Sequence, residues 1–511
     1  MSKETKKEGL IGRLDWFSMI VPLIGVIAMC IMFMVFPNES TAVLKNIRGF
    51  LGDDFGIYYA ILGLGIFACT MFIAFSKYGK IKLGKDCDKP QYSSFSWGVM
   101  IFTSTMAADI LFYSLCEWAL YANEPYIEQL GGIQKWASTY PLFHWGPIAW
   151  SFYIVLAVAF GFMLHIRGRE KQKFSEGCRP LLGDKVDGIW GKIIDLIAIF
   201  ALIAGTATTF SLATPLLSTA LSEVFGFNKG TTLTIIILLI IAFVYTLTVL
   251  LGMKGVSRLA SGCSYLFFAL LLYFLIGGKE ATYILETGFS AIGNMTQNFI
   301  GMATWLDPLR ENSFPQNWTI YYWAYWMVWC IAAPFFIGNI SRGRTIKQTI
   351  LGGYVFGVGS TIVSFIVLGN YSLGLQSSGA ADFIAQYEAS GDLYELIINI
   401  INTMPCAPFI LILTLVCMIT FYATSFDSIA YTAACYSYKE LKEDEKPHNL
   451  MSLLWCLLLI VLPVALVFSE SSMSNIQSIS IISAFPIGII MILMIWSLFR
   501  DMKKYLEEKK K

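Results

Sequence analysis

The chain has 511 residues, of which 56% are hydrophobic and 14% charged, against roughly a quarter charged in ordinary soluble domains. A formal net charge of +1 gives no long-range field to hold a polyanion, which excludes a nucleic-acid binder as the apolar excess excludes a conventional soluble enzyme. The 11 cysteines include no C-x-x-C and mostly sit inside apolar runs, so they read as small buried residues and not as disulfides or metal ligands.

A bilayer core of ~30 Å needs about 20 mostly apolar residues per helix. In chain order the sequence offers twelve such runs: 17–36, 55–75, 97–121, 143–163, 196–221, 233–251, 259–276, 318–337, 350–368, 409–431, 451–468 and 479–498. The first lacks a small-residue cleavage site and exceeds a signal-peptide core, so it is kept as a span. With the N-terminus inside, the predicted cytoplasmic segments hold 30 of the 36 Lys and Arg and the external ones hold 6. A missed or extra span would scramble that alternation, so the expectation is twelve helices in the cell inner membrane with both termini cytoplasmic. The external segments 279–316 and 369–407 are long enough for short surface helices. Gly352, Gly353, Gly357, Gly359 and Pro334 are interruptions of the kind seen where inverted repeats break their helices, though each alone is ordinary in a membrane span.

Three groups of residues do not belong in lipid. Asp109 falls near mid-bilayer in the third run, where a carboxylate costs roughly 2.5–3.5 kcal/mol and normally faces a polar cavity. Asp427 is in the same predicament in the tenth, and no Lys or Arg lies at comparable depth. Two deep carboxylates without buried bases suit a mobile cation, or else hydrogen-bond to helix ends. Glu117, near the end of its helix, is expected to reach the interface. The second group is aromatic: residues 318–329 carry seven rings in twelve positions. Trp326 and Trp329 share a helix face there, as do Trp150 and Tyr153 after the Gly146-Pro147 step that can re-aim Trp145. Such rings either pack between helices or form a cage for a quaternary ammonium, worth up to ~2 kcal/mol per desolvated indole face. The third group is Thr424 and Ser425 in mid-span, which either bond to their own helix carbonyls or coordinate a small hard cation.

Together these clusters resemble the betaine/choline/carnitine transporter family. The most specific piece is Trp318-Thr319-Ile320-Tyr321-Tyr322-Trp323-Ala324-Tyr325-Trp326 followed by Ile340-Ser341-Arg342-Gly343-Arg344, similar to the family's W-T-x-F-Y-W-A-W-W before I-S-R-G-R. Phe143-His144-Trp145-Gly146-Pro147 and Thr424-Ser425-Phe426-Asp427-Ser428 fit family patterns as well. The resemblance implies an all-α polytopic membrane protein with a LeuT-like inverted repeat of five plus five helices after two N-terminal helices. Its divisions would be a cytoplasmic tail 1–16, two peripheral helices and a linker 17–96, a first repeat 97–278, an external segment 279–316, a second repeat 317–499 and a basic cytoplasmic tail 500–511. It also implies an aromatic box at Trp145, Trp150, Tyr153, Tyr325 and Trp326, with Trp329 on the path toward the cytoplasm and Asp109 beside the substrate. A sodium site would fall on Thr103, Met106, Phe421, Thr424 and Ser425. A homotrimer is implied too.

Departures from the pattern refine the expectation. The family's glycine-rich stretch in the third span reads Thr105-Met106-Ala107-Ala108-Asp109 here, and choline carriers resemble this chain in ending it with Asp. Exchangers of carnitine and γ-butyrobetaine carry an Arg and a Met in place of coupling ions, where this chain has Cys263 and Ala333. Tyr325 and Asn339 also depart from the pattern. The leading expectation is a secondary active importer of a trimethylammonium compound, choline ahead of glycine betaine and carnitine, coupled to Na+ or H+. The alternatives are a substrate:product exchanger and a membrane sensor of the same ligand. No hydrolase triad, P-loop or metal cluster is present in the sequence, so neither an enzyme nor an organic cofactor is expected.

Overall fold

In hydrocarbon a backbone must satisfy its own N–H and C=O groups, and each predicted apolar run lies on helix. The computed structural model describes residues 10–103, 107–169, 171–251, 253–441, 445–468 and 473–510. Within them there is no strand, only two isolated bridges, Leu14 with Tyr438 and Lys82 with Thr345. In order the helices are α1 (Trp16–Val35), α2 (Gly56–Phe75), α3 (Ser94–Thr103), α4 (Ala107–Ala122), α5 (Thr139–His144), α6 (Pro147–His165), α7 (Ile189–Phe225), α8 (Thr231–Leu251) and α9 (Met253–Gly277). Next come α10 (Ala281–Thr304), α11 (Ile320–Val328), α12 (Ala333–Ile340), α13 (Ile346–Ser378), α14 (Phe383–Ser390), α15 (Leu393–Asn402), α16 (Ala407–Tyr436), α17 (Asn449–Phe468) and α18 (Met473–Glu508). Eight helices among the described residues are long and apolar enough to cross a bilayer, and eleven if each of three bent pairs is one span. Large apolar side chains such as Ile24, Ile61, Phe243 and Trp496 point outward, as lipid contact demands.

Two breaks shape the interior. The third span bends by 68° between α3 and α4, and the eighth bends by 55° between its first segment and α12. α6 runs against α12 at close range because both contribute glycine: a Cβ on Gly338 would lie 2.7 Å from the Ala157 carbonyl oxygen, the small-residue packing that membrane helices favour. Segment 279–316 differs from the short surface helices expected of it. It holds one 24-residue helix, α10, turned by 112° from α9 and packed on α5 and α13. Segment 369–407 does carry short helices, α14 and α15.

The face rich in Lys and Arg is tied by backbone and charge. The loop before α3 pairs with the loop after α12, with Leu83 N–H to the Arg344 carbonyl at 2.8 Å and Ile346 N–H to the Ile81 carbonyl at 2.8 Å. Arg344 stacks 4.1 Å above the Trp97 ring, whose Nε1 donates to the Ser341 hydroxyl at 3.1 Å. The I-S-R-G-R motif is thus a clasp on the start of the third span. Asp501 near the end of α18 receives Arg167 at 3.0 Å and Arg169 at 2.5 Å, and Asp187 receives Arg179 at 2.8 Å and Lys171 at 2.7 Å. The hydrogen bonds from Arg179 and Lys171 hold the Asp187 carboxyl well below the usual carboxylate range.

Candidate functional site

Trp145 ends α5, and Pro147 begins α6. Pro lacks an N–H and disfavours helix at the preceding residue, so the chain breaks at Gly146. A Cβ there would collide with the Leu142 carbonyl oxygen. The break turns the Trp145 indole back toward the eighth span. Trp150 and Tyr153, three apart on α6, present one face in the same direction.

Trp326 on α11 stands at the centre. Its ring centroid is 5.7 Å from Trp145, 5.3 Å from Trp150 and 4.9 Å from Tyr153, and Trp150 lies 5.9 Å from Tyr153. All four side chains are buried. Trp150 is fixed by its Nε1 donating to the Thr361 hydroxyl at 3.2 Å and by Gly357, where a Cβ would come within 2.5 Å of the indole. Among the described residues the Trp326 Nε1 and the Tyr153 hydroxyl have no partner, and a buried polar atom left unpaired costs about 1–3 kcal/mol. Four electron-rich faces with two idle donors can surround an onium group and hydrogen-bond an attached oxygen.

The structure brings the other predicted residues close by, not into this ring cluster. Tyr325 stacks on Tyr321 at 5.6 Å and donates to Asp109 Oδ1 at 2.8 Å. Thr209 of α7 donates to Asp109 Oδ2 at 3.1 Å and sits 2.6 Å from the Tyr325 hydroxyl. Asp109 occupies the first turn of α4, where the helix dipole favours a negative charge. Trp329 is one turn beyond Trp326, 6.4 Å from Phe426 of α16 and against Gly205 of α7.

Of the residues expected to hold sodium, Thr103 and Phe421 lie where the end of α3 meets α16 through Phe102 and Phe421, whose rings are 6.0 Å apart. The Thr103 hydroxyl donates to the Val99 carbonyl at 3.0 Å and that of Thr424 to the Phe421 carbonyl at 2.9 Å. Each hydroxyl oxygen keeps lone pairs for a cation. Ser425 is buried on the same helix. Met106 lies outside the described residues, as do the side chains of Asp427 and Ser428. Cys263, where exchangers of the family carry Arg, accepts from the Thr420 hydroxyl at 3.0 Å.

Glu117 does not reach the interface. It is fully buried, accepting from the Tyr121 hydroxyl at 2.5 Å and from the Trp145 Nε1 at 2.6 Å. The short helices Pro125–Leu130 and Ile133–Trp136, with α5, fold over the end of α4, and this roof keeps the carboxylate from water. The Tyr121 hydroxyl lies 2.6 Å from His144 Nδ1, and His144 Nε2 lies 2.9 Å from the Thr319 hydroxyl. Glu117 stands two helical turns from Asp109, which was a signal that both carboxylates face inward.

Residues 17–507 match the profile described as BCCT, betaine/carnitine/choline family transporter. The chain is 29% identical over 486 residues to the glycine betaine transporter OpuD of Bacillus subtilis, covering 94% of this chain and 92% of that one. It is 29% identical to a probable glycine betaine transporter of Desulfitobacterium hafniense, with 91% and 93% covered. It is 26% identical to a carnitine transporter of Acinetobacter baumannii, with 84% and 78% covered. Among solved structures, a Na+-coupled sialic acid symporter in a substrate-bound outward-open state aligns with a TM-score of 0.43 at 12% identity, covering 86% of each chain.

Proposed function

This chain belongs to the betaine/carnitine/choline transporter family, and from that premise we propose that it imports a quaternary ammonium compound, choline or glycine betaine, by alternating access. The observation that carries this reading is the cluster of Trp145, Trp150, Tyr153 and Trp326, all within 5.9 Å of a neighbouring ring and all buried. A trimethylammonium group donates no ordinary hydrogen bond, so its recognition rests on ring faces and electrostatics. The relatives named for glycine betaine and carnitine support the same substrate class.

Coupling to Na+ is the second half of the proposal. Thr103, Met106, Phe421, Thr424 and Ser425 would supply hydroxyl and backbone oxygens, the donors a small hard cation takes. No guanidinium stands in for the ion at Cys263, which favours an ion-driven importer over an exchanger. The basic face would be cytoplasmic, and the assembly a trimer.

Reconstituted vesicles test all of this. Accumulation of radiolabelled choline or glycine betaine against a gradient, without preloading, is the expected result, and it should fall when K+ replaces external Na+. Uptake indifferent to Na+ but abolished by a protonophore assigns coupling to protons. Uptake that requires preloaded substrate makes the protein an exchanger.

A further inference from the structure

Glu117 takes no part in the function proposed above, yet its partners define its electrical role. With Glu117 ionised, the Tyr121 hydroxyl gives its one proton to Glu117 Oε1 and, 2.6 Å from His144, accepts from Nδ1. The ring proton of that arrangement is on Nδ1, and Nε2 accepts from Thr319 at 2.9 Å. On the other side the Trp145 indole can only donate, and it donates to Oε2 at 2.6 Å. In that arrangement every proton along Thr319, His144, Tyr121 and Trp145 points toward Glu117. That arrangement satisfies a carboxylate on both oxygens, and the indole contact at Oε2 has the same direction in any protonation state. Among the described residues no Lys or Arg forms an ion pair with it.

We propose that Glu117 is the fixed counter-charge of the aromatic box, a positioning and specificity-determining residue that acts through Trp145. The inference rests on the reading of the box as an onium site. A charge-assisted hydrogen bond is roughly twice as strong as a neutral one. It pins the indole at the flexible Gly146 break, and it draws the Nε1 proton so that the ring face becomes more negative. In a site without water, the charge behind the ring also acts on a ligand in front of it with little screening. The device favours a positively charged nitrogen over an uncharged group of the same shape, which a purely hydrophobic cage cannot do.

Carbon isosteres expose that difference. Glycine betaine is paired with 3,3-dimethylbutanoate and choline with 3,3-dimethyl-1-butanol, each differing by carbon in place of the charged nitrogen. Competition binding on the purified full chain should show wild type preferring the charged member of at least one pair, and Glu117→Gln should shrink that preference about tenfold, the worth of a charge-assisted contact. Equal weakening of both members, or an unchanged ratio, assigns Glu117 to scaffolding and overturns the proposal. Trp145→Phe keeps the ring and removes the donor, so it should also lower the ratio, and it carries the test if Glu117→Gln does not fold. The double variant should then lose less than the product of the two single losses, and independent losses would overturn the route through Trp145. A wild type that binds no trimethylammonium compound defeats the proposed function and this inference together. A wild type that binds and discriminates, with variants that discriminate equally, defeats this inference alone.

Discussion

Trp326 touches three of the other box rings, so its removal strips more of the site than any other single truncation. Trp326→Ala should nearly abolish binding of the onium substrate, while Trp326→Phe keeps a ring face and should retain part of it. Titration followed by tryptophan fluorescence measures both. Trp329, whose ring lies against Gly205 and Phe426, should tolerate change better. Gly357→Ala drives a methyl group into the Trp150 indole. Overpacking of this kind costs about 1–3 kcal/mol, so substrate affinity should fall roughly five- to a hundredfold while expression persists. Wild-type affinity in that variant would mean Trp150 can shift without loss. Asp109→Gly addresses the other end of the ligand. Both carboxylate oxygens are held by Tyr325 and Thr209, so when ionised Asp109 sets a negative charge beside the box. Competition between choline and glycine betaine should show the variant losing choline preferentially and keeping glycine betaine, and a wild type indifferent to choline removes the charge argument.

At the scale of elements, ion pairs on the basic face join distant segments at Asp501 and brace the connection before α7 at Asp187, and their charges make these joints sensitive to pH. Asp187 is held below the ordinary carboxylate range by hydrogen bonds from Arg179 and Lys171. Its contribution to stability is therefore present above about pH 4, the unfolded carboxylate value, and is lost as pH falls through the folded value. Thermal unfolding in detergent should show wild type more stable than Asp187→Asn at pH 7, with the two converging in acid. Separation that persists at low pH would put the difference in packing and not in charge. Elements were also where sequence reasoning was strongest and weakest. The faces carrying Trp150 with Tyr153, and the ring run that includes Trp326, follow from helical spacing, and the described parts of the apolar runs are largely helical. The depth of Glu117 did not follow, because counting 1.5 Å per residue from Trp97 assumes a straight helix. The 68° bend restarts the count at α4, and the covering of its far end by α5 and two shorter helices depends on contacts that no local pattern encodes. Thr209 was missed for the same reason: its bond to Asp109 spans 100 positions of sequence.

For the whole molecule, two exposed cysteines test which side each face occupies. Cys87 lies in the loop before α3 and Cys406 just before α16, on faces that the Lys and Arg distribution assigns to opposite sides. A membrane-impermeant maleimide on intact cells should label Cys406 and leave Cys87 until the cells are permeabilised. The reverse pattern would invert the topology. One consequence of the backbone pairing between the loops at Leu83 and Arg344 concerns how such a molecule can part. Hydrogen bonds at 2.7–2.8 Å and the Arg344–Trp97 stack join those loops into a stitched seam, so the third and eighth spans travel together at that edge. The opposite flank, where Trp329 meets Gly205 and Phe426, is held by ring and glycine contacts worth only ~0.1–0.2 kcal/mol per atom pair. Thr209 of α7 sits across that line with its hydroxyl within reach of both Asp109 and Tyr325. A parting of α7 from α4 and α11 along that line would take a hydroxyl from Asp109 and from Tyr325 at once.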